Sequence, residues 1–223
     1  MPRTLQKEID KLKKRILTLS AMVEERVRLA VKSVDERDPR LADRVIAGDL
    51  EIDEMEVDIE EDCLKILALH QPVAIDLRFI IAVLKINSDL ERIGDYAVNI
   101  AERARLLASK ESINFPFDFP AMAGKVQEMV RTSLDALVNL DADLARKVFT
   151  RDNEVDGINR EMYRNVEESM RRSPDHIEHL INLIGVSRNL ERIADHATNI
   201  AEDILYMIEG EIVRHKGKRP DSP

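Results

Sequence analysis

Leu5, Ile9, Leu12, Ile16, Leu19, Val23, Val27, Ala30 and Val34 recur at steps of three and four, the spacing that places side chains on one face of an α-helix. This stripe predicts a long first helix, stopped at Asp38-Pro39 because a proline disfavours helical backbone in the residue before it. A second periodic stretch runs from about Leu41 to Leu69 and ends at Gln71-Pro72, and a third continues to about Leu107. The segment "SINFPFDFP" carries two prolines and three phenylalanines and reads as an irregular linker. After it the pattern resumes: Met122 to about Leu140, Leu144 to Arg172 broken at Ser173-Pro174, and Ile177 to about Ile212. Strand signals are nearly absent, so the expected class is all-α, with six long antiparallel helices.

The second half copies the first. "LERIGDYAVNIAE" (90–102) returns as "LERIADHATNIAE" (190–202) with ten of thirteen letters unchanged. Asp38, Leu41, Ala42, Val45, Asp49 and Asp53 return 103 positions later as Asp141, Leu144, Ala145, Val148, Asp152 and Asp156. Two three-helix bundles in tandem follow: a first repeat over 1–111, a linker over 112–120, a second repeat over 121–213 and a disordered tail over 214–223.

A packing repeat requires only its apolar letters to recur, because a core reads size and hydrophobicity. Here the polar letters recur too. In two antiparallel helices, residues equidistant from the turn lie level. Asp53 with Glu91, and Asp49 with Asp95, are each equidistant from Pro72; Asp156 with Glu191, and Asp152 with Asp195, are equidistant from the Ser173-Pro174 bond. At about 1.5 Å per residue these acids sit about 28 Å from their turns. The four-residue spacing on each helix keeps both acids on one face. Like charges ~6 Å apart at an effective dielectric of ~20 repel by about 3 kcal/mol before screening. Cations offset that, and carboxylate oxygens suit Mg²⁺, Mn²⁺, Ca²⁺ or iron. Asn99, Glu102, Asn199 and Glu202 continue the stripe as possible additional ligands.

Other features change the picture less. His176 and His179 read as a surface pair at a helix start. His196 is counterpart to Tyr96, which removes it from any repeated ligand set. Arg92 and Arg192 pair with a neighbouring acid or meet a partner. Phe115, Phe117 and Phe119 pack the junction, and Cys63, the single cysteine, sits in an apolar run and reads as core. One cysteine cannot form an intrachain disulfide, which favours a reducing compartment. The formal charge of −9 argues against nucleic acid or anionic lipid as a broad partner. The amino end lacks a secretory h-region and no apolar run reaches ~18 residues, so the expectation is a cytoplasmic protein without membrane insertion.

"QPVAIDLRFIIAVLKINSDLERIGDYAVNIAE", its echo "LIGVSRNLERIADHATNIAED", and the preceding "DLEIDEMEVDIEEDCLKIL" and "DNEVDGINREM" resemble the PhoU family of phosphate-uptake regulators over almost the whole chain. The resemblance implies two three-helix bundles side by side, often dimeric, with carboxylate motifs that hold divalent or trivalent metal ions, multinuclear clusters included. Iron is favoured, with Mn, Mg, Zn or Ca as alternatives. By position the metal ligands fall on Asp49, Asp53, Glu91 and Asp95, and on Asp152, Asp156, Glu191 and Asp195. The implied role is negative regulation of phosphate uptake and of the phosphate regulon. The chain would act as an adaptor, not an enzyme, between the ATPase subunit of the phosphate ABC transporter and the sensor histidine kinase. "DLR" at Asp76–Arg78 has no second-half counterpart, where "HIEHL" stands, so any role it has belongs to the first unit. Two rivals remain: a carboxylate-bridged di-iron enzyme and a metal-free scaffold. Di-iron bundles characteristically use Glu-x-x-His, whereas Glu91 and Glu191 are followed three residues on by Gly94 and Ala194.

Overall fold

The structure is a computed structural model that describes residues 3–111, 113, 115 and 117–210. Within them the chain forms α1 (Arg3–Asp35), α2 (Pro39–Ala47), α3 (Asp49–His70), α4 (Ala74–Ala108), α5 (Phe119–Asn139), α6 (Ala142–Arg172), one 3₁₀ turn (Pro174–His176) and α7 (Ile177–Glu209). The described residues contain no strand. With α2 and α3 counted as one interrupted rod there are six rods, as the periodicity predicts. α1, α2/α3 and α4 pack into one bundle, and α5, α6 and α7 into another. The stripe on α1 is buried from Leu5 to Ala30, and Val34 packs partly buried at its end.

The duplication shows first in the helix starts. Asp38 caps α2 by accepting from the Arg40 amide (2.8 Å), and Asp141, its copy, caps α6 by accepting from the Asp143 and Leu144 amides (2.9 and 3.0 Å). Each satisfies donors that a first helical turn leaves unpaired. The buried copies match as well: Ala42 and Ala145, and Val45 and Val148, are each wholly enclosed.

Three expectations are corrected. The second periodic stretch is not one helix but breaks at Gly48. There the Arg26 guanidinium from α1 donates to the carbonyls of Arg44 (3.0 Å) and Gly48 (2.9 Å) and to Glu51 (2.9 Å). A Cβ on Gly48 would lie 1.8 Å from that guanidinium, so the glycine makes room for the fork that satisfies the carbonyls at the end of α2. The copied position is Arg151, where α6 runs on unbroken. α5 begins at Phe119, not Met122, because Asp118 caps it by accepting from the Ala121 amide (2.9 Å) and Pro120 fits the first turn. α7 stops at Glu209, with Gly210 in the left-handed region (φ 75°) closing it. The tail from 214 lies outside the described residues, as do Ser112, Asn114 and Pro116 of the linker. Phe119 is buried, and Phe115 and Phe117 pack partly buried against the core, as expected of a junction.

The two bundles meet chiefly along α4 and α7, with α1 also touching α5. Lys85 pairs with Asp203 (2.9 Å), Asp89 meets His196 (2.7 Å), Arg103 reaches Asn182 (3.4 Å) and Lys110 pairs with Glu178 (2.5 Å). As numbers rise on α4 they fall on α7, so the helices are antiparallel. Exchanging each residue for its copy exchanges the helices: Lys85 opposite Asp203 becomes Gly185 opposite Arg103, and a Cβ on Gly185 would indeed lie 2.2 Å from the Arg103 guanidinium. The repeat is thus also a local two-fold, although its polar pairs are not copied.

Candidate carboxylate clusters

The level placement of acids is present. Asp49 and Asp53 project from α3, and Glu91 and Asp95 from α4. α3 and α4 approach closely at Gly94, where a Cβ would lie 3.2 Å from Ile52 Cδ1 and 3.9 Å from Asp49 Oδ1. The Asp49 carboxylate therefore lies against α4 beside Asp95.

The charges feel one another across the gap. Partial burial pushes Asp49 up from the ordinary carboxylate range, Asp53 and Asp95 push it further, and Arg26 opposes them. Glu91 is pushed up to about 7, first by burial, then by Asp95, Asp53 and Glu56. Asp95 is raised by burial and by Asp53. Each of these three shifts has the signature of a carboxylate that is harder to ionise where it stands. Glu56, a fifth acid raised by burial, Glu60 and Asp53, escaped the sequence reading. It stands three residues after Asp53 on the same side of α3, and extending the stripe by one helical step would have found it.

In the second bundle Glu191 is raised by burial, then by Asp195 and, across the gap, by Asp156, while Arg192 and Arg188 oppose. This cluster carries its own cations. Arg192 pairs with Asp195 (3.1 Å) and lies 3.8 Å from Glu191, and Arg160 lies 3.8 Å from Asp156. Asp152 is half-buried one turn before Asp156. Arg192 thus takes the local-pairing role. Of the possible additional ligands, Asn99 and Glu102 are exposed and Glu202 is half-buried. Asn199 instead faces the inter-bundle joint, donating to Asp89 Oδ1 (3.4 Å).

In kind, the donors fit a hard cation: oxygen only, with no imidazole or thiol beside them. In placement they are drawn together pairwise, and among the described residues no group of three or more His, Cys, Asp or Glu is arranged to hold one ion. Cys63 is fully buried with its thiol pushed up to about 12, chiefly by burial, the state of an inert core thiol.

One histidine departs from the sequence reading. His179 is not on the surface but buried, and burial, with Arg37, His176 and Lys110 nearby, holds its pKa below the usual value. His196, which the repeat leaves outside any shared ligand set, lies at the joint between the bundles. It is buried, stacks obliquely on Tyr96 with ring centres 5.6 Å apart, and shares a hydrogen bond through Nδ1 with Asp89 Oδ1. Its partner lies 107 residues away. The one available signal was that Asp89 and His196 both break the repeat, standing against Asn189 and Tyr96.

Comparison with known proteins agrees with the fold and the motifs. The family description "PhoU domain" matches residues 16–104 and 119–204, once per bundle. A Pseudomonas aeruginosa protein called phosphate-specific transport system accessory protein PhoU homolog is 40% identical over 94% of this chain and 87% of its own length. An Aquifex aeolicus protein of the same name is 41% identical over 95% of this chain and 96% of its own. The crystal structure of PhoU from Pseudomonas aeruginosa superimposes with a TM-score of 0.89 at 39% identity, covering 92% of this chain and 99% of that one. The phosphate transport system regulatory protein PhoU from Streptococcus pneumoniae gives 0.82 at 27% identity, covering 94% and 99%.

Proposed function

Because the chain belongs to the PhoU domain family, we propose that it is an accessory protein of phosphate transport that restrains uptake, and the phosphate regulon with it, when phosphate is plentiful. It acts as an adaptor between the ATPase subunit of a phosphate ABC transporter and a sensor histidine kinase, as a homodimer in the cytoplasm. No described helix is long and apolar enough to cross a membrane, so contact with a membrane transporter runs through protein surfaces.

The observation that supports a metal-binding adaptor is the set of acids delivered by separate helices to one level, where burial and neighbouring carboxylates push Asp49, Glu91 and Asp95 up. Asp49, Asp53, Glu91 and Asp95 hold cations in the first bundle, and Asp152, Asp156, Glu191 and Asp195 in the second. A bound cation supplies positive charge that relieves the repulsion and ties α3 to α4 and α6 to α7. Those helices are then held in fixed register for a partner. A surface rich in carboxylate repels free phosphate, so the partner carries out the sensing. The test is co-purification with the transporter ATPase and with the kinase at low and high phosphate. Association that rises with phosphate supports the adaptor reading, and association indifferent to phosphate contradicts it.

A further inference from the structure

The outer face of α3 carries an apolar stripe that the fold does not use. Leu50, Val57 and Leu64 are 64%, 52% and 53% exposed and lie seven residues apart, which stacks them in one row along the helix. Large apolar side chains scattered singly on a surface carry no message, whereas a row of them on one helix face does. Beside the row is a groove between α1 and α3 lined by Met22, Met55 and Val57, with Glu51, Glu54 and Asp58 around it.

The second bundle supplies the control. At the copied positions of α6 stand Asn153, Arg160 and Glu167, so the same architecture folds with polar residues in this row. The charge differs as well. α3 holds nine acids against a single lysine, whereas α6 holds seven acids and seven arginines and lysines. The acids flank the stripe. About 40–60° around the helix on one side stand Glu54 and Glu61, and on the other Asp53 and Glu60, at about 100° per residue. Arg15, Lys11 and Arg26 from α1 neutralise Asp58, Asp62 and Glu51, which lie nearer the core-facing side.

We propose that the outer face of α3 is a docking site for a basic amphipathic helix of a partner protein. Leu50, Val57 and Leu64 receive its apolar row, and the flanking glutamates and Asp53 receive its lysines and arginines, the helix-in-groove mode of recognition. A second copy of this chain is the wrong occupant, because α3 against α3 would set acidic flanks against each other, and like charges at close range are costly. The stripe spans about 21 Å, the reach of two to three heptads. Of the acids proposed above to hold cations, Asp53 alone is shared with this face; Glu91 and Asp95 stand on α4.

The probe is a labelled designed peptide of about three heptads with leucine at the core positions and lysine at the flanking ones. Its control is a peptide of the same composition scrambled to lose the apolar face. Against the full chain, followed by fluorescence anisotropy, the amphipathic peptide binds at least about tenfold tighter than the scrambled one, and added salt weakens it. Importing the second bundle's residues, as Leu50→Asn, Val57→Arg and Leu64→Glu together, lowers affinity about tenfold or more. Thermal unfolding of the triple variant stays near the parent, because these side chains are exposed. Glu91→Gln with Asp95→Asn leaves peptide binding in place, which separates this result from any failure of the cation reading. Equal binding of the two peptides, or undiminished binding to the triple variant, overturns the proposal. So does a triple variant that loses only self-association, seen by light scattering, since the occupant would then be a second copy.

Discussion

The two carboxylate clusters come from one repeated motif, yet they are electrically different. In the second bundle Arg192, Arg160 and Arg188 stand among the acids. In the first bundle the copies of Arg160 and Arg188 are Val57 and Ser88. Within the cluster Arg26 reaches only Asp49, and Arg92 is too weak an offset to keep Glu91 from rising to about 7. The same two rods thus build a cluster balanced by its own arginines on one side and an under-neutralised one on the other. An internal duplication preserves where acids go but not what compensates them, and the first cluster is therefore the one with most to gain from an external cation.

The comparison breaks most visibly at the joint between the bundles. His196→Ala leaves the buried Asp89 carboxylate without its 2.7 Å partner, and losing one member of a buried pair costs about 3 kcal/mol. Asn189→Ala, at the position that copies Asp89, removes a neutral amide whose buried nitrogen has no hydrogen-bond partner, so it costs less than about 1 kcal/mol. Urea unfolding of both variants measures the gap. Next come the helix caps: Asp141 accepts from two amides and Asp38 from one, so Asp141→Ala costs about 1 kcal/mol and Asp38→Ala less.

A pH series sharpens the comparison of the clusters. A carboxyl whose folded pKa is raised binds more protons in the folded than in the unfolded chain between the two values, so its contribution to stability falls as pH rises. For Glu91 the fall runs from its ordinary value of 4.5 to about 7. Glu91→Gln flattens the decline of melting temperature over that range, measured without added cation. Glu191→Gln, whose site is already offset by Arg192, flattens it less. The smallest effect belongs to the outer face of α3, where Val57→Arg copies the second bundle's Arg160 and shifts unfolding free energy by no more than about 0.5 kcal/mol.

Periodicity made the rods and their order legible, because a stripe from Leu5 to Val34 has only one helical explanation and prolines mark its breaks. It missed the Gly48 interruption because the cause, Arg26, lies 22 residues earlier on another helix. Equal distance from Pro72 made the acid clusters legible, since antiparallel hairpins turn sequence separation into height. That arithmetic is blind to pairs between bundles. Asp89 and His196 meet across the α4/α7 joint, whose register no single hairpin determines, and His179 was read as exposed because its burial comes from the packing of the two bundles together. Compensation was also out of reach: Arg160 against Val57 is an ordinary difference between repeats until the acids beside it are placed.

The cation binding proposed above makes the first cluster the stronger of the two sites. The most direct test of that binding is isothermal titration of the metal-stripped chain with Mn²⁺, in parallel with Glu91→Gln/Asp95→Asn and Glu191→Gln/Asp195→Asn. Saturable binding in the parent, lost mostly in the first double variant and only partly in the second, is the predicted result. No saturable binding in the parent, or equal binding by all three proteins, contradicts it.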